Sequence, residues 1–258
     1  MNEQVRQLAY EMRLIGVHQN FESRASEAVK SGLHPLEFLN LLLQDEKNYR
    51  KDRLSKSLTK RAKFRHQADM EDIDLSYDRG LTKPKIKDLM QLGFIKQKVN
   101  LLILGKTGAG KTHLAISLGR KICESNLSVM FLPVTLMFEE IIVAKSAGKF
   151  LGYLNKLNQT QVLILDDFGL RNYTHDEANV LVELLEARIK KGPVIVTSQT
   201  DPLGWYKLFE DPVIAEAVVD RLQNPSQKIQ LIGPSYREKL ASPNLTRGKS
   251  LELNNQMA

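Results

Sequence analysis

Val99-Asn100-Leu101-Leu102-Ile103-Leu104-Gly105-Lys106-Thr107-Gly108-Ala109-Gly110-Lys111-Thr112-His113 is the stretch that decides the fold. Gly105, Gly110, Lys111 and Thr112 fill every fixed position of the pattern G-x-x-x-x-G-K-[ST]. Such a loop turns its backbone N–H groups inward around a phosphate, because glycine reaches angles closed to other residues. Lys106, Thr107, Gly108 and Ala109 form the span between, Lys111 is placed to reach the β- and γ-phosphates, and the Thr112 hydroxyl is placed to hold Mg²⁺. The apolar run before the loop has the character of a buried strand. His113-Leu114-Ala115-Ile116-Ser117-Leu118 after it has the character of a helix. A strand–loop–helix of this kind predicts a nucleoside triphosphate site.

Working outward, residues 99–104, 128–132, 162–166, 194–198 and 228–232 are strand candidates separated by helical patterns, which predicts an α/β fold with a five-stranded parallel sheet covered by helices on both faces. The clearest helix spans 174–191. Thr174 and Glu177 form a capping box, and Gly192-Pro193 stops it. The run Val162-Leu163-Ile164-Leu165 ends in Asp166-Asp167, so two carboxylates are delivered to the carboxyl edge of the sheet, where ligands of open α/β sheets bind. Asp166 is the candidate to hold Mg²⁺ through water, and Asp167 the candidate to polarise an attacking water. Val194-Ile195-Val196 ends in Thr197-Ser198-Gln199, from which Ser198 or Gln199 is expected near the γ-phosphate. Arg221 and Arg237 stand out because a planar guanidinium neutralises a transferring phosphoryl group bidentately. A surface salt bridge is an equal explanation for each.

Residues 1–66 read as a small helical domain. Val5, Leu8, Ala9, Met12 and Ile15 recur at helical spacing with Gly16 as an apparent stop, a second segment covers 21–29, and Pro35 opens a third helix. That helix becomes strongly basic. Between positions 47 and 65 there are nine cations, Lys47, Arg50, Lys51, Arg53, Lys56, Lys60, Arg61, Lys63 and Arg65, against the single acid Asp52. Lys47, Arg50, Arg53, Lys56, Lys60 and Lys63 are spaced three or four apart, which suggests one helix face, and clustered cations favour duplex phosphates through counterion release. The acidic stretch Asp69, Glu71, Asp72, Asp74 and Asp78 breaks the periodicity, so 67–80 is the expected linker to an ATPase domain at 81–242. Residues 243–258 read as a polar tail. Lys83, Lys85, Lys87, Lys96 and Lys98 form a second basic stretch, and Lys145 and Lys149 are weaker candidates for DNA contact.

The net charge of +7 fits a polyanionic partner, and the single cysteine, Cys123, excludes an intrachain disulfide and a cysteine zinc cluster. The first residues are charged and amphipathic, without the apolar core of a signal peptide, and no run of about 18 apolar residues is present. A cytoplasmic protein without a membrane span is therefore expected.

The order of elements resembles an AAA+ ATPase. Gly110-Lys111-Thr112-His113-Leu114-Ala115 and Asp166-Asp167-Phe168-Gly169 are forms typical of the DnaC/IstB group, and the helical N-terminus with Pro234-Ser235-Tyr236-Arg237 most resembles IstB, the helper ATPase of insertion-sequence transposition. The resemblance implies Walker A residues at Lys111 and Thr112, Walker B residues at Asp166 and Asp167, and sensor 1 at Ser198-Gln199. It likewise implies an arginine finger at Arg221 that acts on a neighbouring subunit, and sensor 2 at Arg237. It implies ATP and Mg²⁺ as cofactors, and a homo-oligomer with ATP sites at subunit interfaces. Its implied partners are duplex DNA bound with little sequence specificity and a cognate transposase. A replicative helicase loader of the DnaC type is the alternative. Asp167 stands where many AAA+ proteins carry glutamate, and Gln199 where relatives often carry asparagine, which implies slow or partner-stimulated hydrolysis.

Overall fold

A computed structural model of the chain describes residues 2–75, 80–233 and 235. The predicted tail, Asp78 and Arg237 lie outside these residues. The chain divides into two compact units, one made of Met1–Leu58 with Glu124–Asn126, the other beginning at Thr59 and resuming at Leu127. Among the described residues, no helix is long and apolar enough to cross a membrane.

The first unit is helical: α1 (Asn2–Glu11), α2 (Ile15–Ser31) and most of α3 (Pro35–Ala62). Its core is Ala9, Val17, Phe21 and Leu42, with Leu14 and Phe38 packed against it. Arg24 clamps Asp45 with two hydrogen bonds, 2.8 and 3.0 Å, between α2 and α3. Gly16 is not a helix stop. The break falls at Arg13 (φ 58°), and Gly16 is the second residue of α2. Its role is close approach: a Cβ there would lie 2.6 Å from the carbonyl oxygen of Asp45 and from Cα of Glu46. The same contact lets the buried Glu46 Oε2 accept hydrogen bonds from the N–H groups of Gly16 (2.7 Å) and Val17 (3.3 Å), two donors that the start of a helix leaves without an internal partner. Arg50 Nε donates to the other oxygen of Glu46 at 2.6 Å.

The second unit begins with α4 (Lys83–Met90) and α5 (Gly93–Lys96). There follow β1 (Asn100–Gly105), α6 (Lys111–Glu124), β2 (Val129–Pro133), α7 (Val134–Ser146) and α8 (Phe150–Gln159). The chain continues through β3 (Val162–Phe168), α9 (His175–Lys191), β4 (Val194–Ser198), α10 (Pro202–Trp205), α11 (Pro212–Gln223) and β5 (Ser226–Leu231). All strand pairs are parallel, in the order β2-β3-β4-β1-β5. Strands β1 to β4 are buried along almost their whole length, which is why they read as unbroken apolar runs. The predicted capping box is present at Thr174 and Glu177, and Gly192 caps the end of α9.

The stretch 59–75 packs on this second unit. Ala62 is fully buried, and Phe64 meets Phe131 edge-on at 6.1 Å. Ala68 and Met70 are buried, and Asp69 pairs with Arg120 at 2.9 Å. The acidic residues expected in a linker belong, as far as Asp74, to the second unit.

Replacing Glu46 with alanine leaves the Gly16 and Val17 N–H groups without a partner in a buried contact. Loss of charge-assisted hydrogen bonds of this kind costs about 2 kcal/mol. Urea denaturation of Glu46→Ala should show that loss, with nucleotide binding retained.

Candidate active site

The carboxyl ends of β1, leading into the phosphate loop, and of β3, carrying the two acids, lie on either side of β4 and open on a cleft of about 760 Å³. Thr107 to Leu114 form one wall, and Asp167, Gln199 and Leu231 form part of another. Gly108 holds φ 78° and sits so close to Ser235 that a Cβ would collide with its hydroxyl, so this loop position needs glycine twice over. The first turn of α6 starts at Lys111, which aims the positive end of a helix at the cleft. The Lys111 ammonium donates to the carbonyl of Lys106 at 3.0 Å, and the ring of His113 stacks on that of His66 at 5.9 Å.

The two acids are shaped by a one-residue irregularity. Leu165 pairs with Val196, yet Phe168 pairs with Ser198, so Asp166 and Asp167 together face the single residue Thr197. The Thr197 hydroxyl donates to Asp166 Oδ1 at 2.6 Å and accepts from the Asp167 N–H at 2.9 Å. The bulge puts Asp167 at φ 60°, a left-handed conformation that aspartate tolerates better than most residues, and brings its carboxylate to the cleft. Asp166 is fully buried. Its Oδ1 also accepts from the Thr112 hydroxyl at 2.9 Å, while Oδ2 is buried with no hydrogen-bond partner among the described residues. Burial holds the Asp166 carboxyl above the usual carboxylate range, and the hydroxyls of Thr197 and Thr112 counter part of that shift. An orphaned carboxylate oxygen beside a threonine hydroxyl fits a hydrated divalent cation, whose water donates where the protein does not.

The remaining expected site residues separate. Gln199 reaches the cleft, where its Oε1 accepts from the Thr107 hydroxyl at 2.7 Å. Ser198 does not. It is fully buried, and its hydroxyl donates to the Phe168 carbonyl (2.8 Å) and accepts from Trp205 Nε1 (3.0 Å), which ties up the group in the core. Thr197, one residue earlier, bonds both acids instead. Arg221 lies on α11 and pairs with Glu186 at 2.6 Å, away from the residues lining its own cleft.

The basic run divides as well. Lys47, Lys51, Arg53, Lys56, Lys60 and Arg61 are exposed on α3, and no carboxylate among the described residues pairs with them. Their steps of four, two, three, four and one residues, at about 100° each residue, spread these cations around the helix, so they do not form one straight face. Arg50 is held by Glu46, and Lys63 lies 3.7 Å from Glu140. Arg65 leaves the run altogether. It lines the nucleotide cleft, with one guanidinium nitrogen 3.9 Å from Asp166 Oδ2 and 4.0 Å from Asp167 Oδ2.

Residues 7–243 match the family model described as IstB-like ATP binding protein. The chain belongs to that family. A protein named for ATP binding in insertion sequence IS21 of Pseudomonas aeruginosa is 34% identical over 218 residues, covering 84% of this chain and 82% of the relative. An insertion-sequence ATP-binding protein of Sinorhizobium fredii is 34% identical over 226 residues, covering 88% and 92%. Among solved structures, DnaI superposes with a TM-score of 0.53 at 23% identity, covering 66% of this chain and 90% of that one. AMPPCP-bound DnaA from Aquifex aeolicus superposes with 0.56 at 17%, covering 72% and 56%. The fold is that of an AAA+ P-loop protein, and the chain is an ATP-binding ATPase of an insertion-sequence family.

A buried carboxylate whose pKa is raised on folding stabilises the fold only while it is protonated, so its contribution is lost as pH rises from the ordinary carboxylate range through the raised value. At neutral pH and without ligand, Asp166→Asn should therefore raise the thermal midpoint, by about 2–4 °C for each kcal/mol relieved. ATP hydrolysis in the same variant should fall to background in a phosphate-release assay. A midpoint that drops would show that Asp166 is stabilised in its charged form.

Proposed function

We propose that this ATPase, with ATP and Mg²⁺ bound, assembles as a homo-oligomer on duplex DNA with little sequence preference. There it assists transposition by preparing target DNA and stimulating its cognate transposase. The observation that carries this reading is the set of exposed cations along α3, Lys47, Lys51, Arg53, Lys56, Lys60 and Arg61, which pair with no carboxylate among the described residues. A surface helix whose charges were only solvated would carry both signs. The sequence of the stretch has few aromatic side chains, Tyr49 and Phe64, which suits phosphate contact on a duplex better than stacking on single strands.

At the nucleotide end, the Thr112 hydroxyl and the open Asp166 oxygen would hold the cation, which when bound supplies charge to the β- and γ-phosphates. Lys111 moves from the Lys106 carbonyl to phosphate oxygens as the loop fills. Asp167 sits at the cleft wall, where its carboxylate accepts a hydrogen bond from the attacking water and orients it. Gln199, already bonded to Thr107 of the phosphate loop, is placed to report whether the terminal phosphate is present. Asp167 is one methylene shorter than glutamate and holds water less closely to phosphorus, so turnover is slow until a partner adjusts the site. Arg221 is held at the surface by Glu186 and does not line its own cleft, which supports a role on the nucleotide of an adjacent subunit. An arginine finger of this kind links nucleotide state to assembly.

Duplex binding should be tightest with a non-hydrolysable ATP analogue and weak with ADP or without nucleotide, measured by fluorescence anisotropy. Equal binding in all three states would overturn the switch. Neutralising Lys51, Arg53 and Lys56 together should lower the slope of log K against log salt by about 2–3, the value for three lost phosphate contacts. Two separately inactive variants, Lys111→Ala and Arg221→Ala, should regain ATPase activity when mixed, since some interfaces then pair an intact loop with an intact finger. Mixtures as inactive as their components would remove Arg221 from that role.

A further inference from the structure

Arg65 is the one member of the basic run that lines the nucleotide cleft, and its placement is not that of a loosely held surface charge. On its N-terminal side, Ala62 is fully buried and the Phe64 ring packs on Phe131 and over Gly119, where a Cβ would lie 2.7 Å from the ring. On its C-terminal side, Ala68 is buried and Asp69 is paired with Arg120. Lys63, with φ 60°, turns the chain out of α3, and Arg65 and His66 line the same cleft as Lys111, Thr112 and Asp167. Its guanidinium stands about 4 Å from both Asp166 and Asp167 without a hydrogen bond to either, so it is near the acids but not committed to them.

We propose that Arg65 is a phosphate-contacting residue acting within its own subunit, in which the guanidinium neutralises the terminal phosphate of bound ATP. The proposal rests on the nucleotide site described above. A cation on Asp166 displaces the need for Arg65 at that carboxylate, and the terminal phosphate offers the guanidinium two oxygens that its planar fork matches. A diphosphate lacks that group, so Arg65 distinguishes ATP from ADP. Lysine at this position supplies charge but only one point of contact.

Equilibrium binding of fluorescent ATP and ADP analogues with Mg²⁺ to the full chain, together with phosphate release, tests this. Arg65→Ala should weaken ATP at least tenfold more than ADP and lower kcat, and Arg65→Lys should recover part of both. The side chain is half exposed, so the fold should survive, which a thermal scan checks. Equal loss for ATP and ADP would reduce Arg65 to a structural residue. Tighter ATP binding in Arg65→Ala would make it a counter-ion that competes with nucleotide, and either result overturns the proposal. A wild-type chain that binds neither nucleotide would instead overturn the nucleotide site itself.

Discussion

Asp166 is a carboxylate removed from water at the end of a central strand, and the catalytic edge is organised around keeping it there. Taking such an ion out of water costs several kcal/mol, whereas hydrogen bonds to a charged group return about 1.5–3 kcal/mol each. The Thr197 and Thr112 hydroxyls both donate to the same oxygen, Oδ1, and leave Oδ2 open. The protein thus stops short of satisfying its own acid. Burial keeps the carboxyl above its usual range, and the open oxygen leaves a place for a ligand to complete. Thr112 belongs to the phosphate loop and Thr197 to β4, so both walls of the cleft are tied to one atom.

The β3 bulge explains why this edge was only partly legible in the sequence. The Walker acids and the loop are local patterns, fixed by residue type and spacing, and both stood out. The strand ending in Thr197-Ser198-Gln199 offered Ser198 or Gln199 for the γ-phosphate end of the site, and neither alternation nor position says that Gln199 reaches the cleft while Ser198 turns into the core. One extra residue in β3 makes Thr197 the partner of both acids, and directs Ser198 to Trp205, seven residues later in the chain. A bulge is set by how two strands pair, and no signal within either strand marks it. Gly16 failed for a related reason. A glycine after an apolar run ends helices often, yet here it is small because α3 passes within contact distance, a fact carried by residues about 30 positions away.

Charge runs misled in another way. From position 47 to 65 the cations looked like one functional unit, and 67–80 looked like a solvated acidic linker. In the structure the change of role comes at Lys63, where the helix has ended, and the residues that set it are single apolar side chains: Ala62, Phe64, Ala68 and Met70. Isolated apolar residues among charges have no periodicity to detect. Their effect is nevertheless decisive, because four such anchors bring Arg65, His66, Asp72 and Ile73 to the cleft wall.

The cations of the site then divide by what each can sense. Lys111 lies at the end of the phosphate loop and, in the proposed function, meets whatever phosphate enters, so it would favour binding without judging chain length. Arg65, in the proposed arrangement, meets only the terminal phosphate and belongs to the same chain. Arg221, in the proposed assembly, meets that phosphate only when a second subunit is present. Guanidinium groups suit the last two positions because they stay charged beside acids and bind two oxygens at once. If both proposals hold, loading the site with ATP precedes and selects assembly: Arg65 would complete the recognition of a triphosphate inside one subunit, and the finger of the next subunit would find a site already prepared. A carboxylate as short as Asp167 fits this proposed order, since hydrolysis before assembly would release the state that the proposed duplex partner captures.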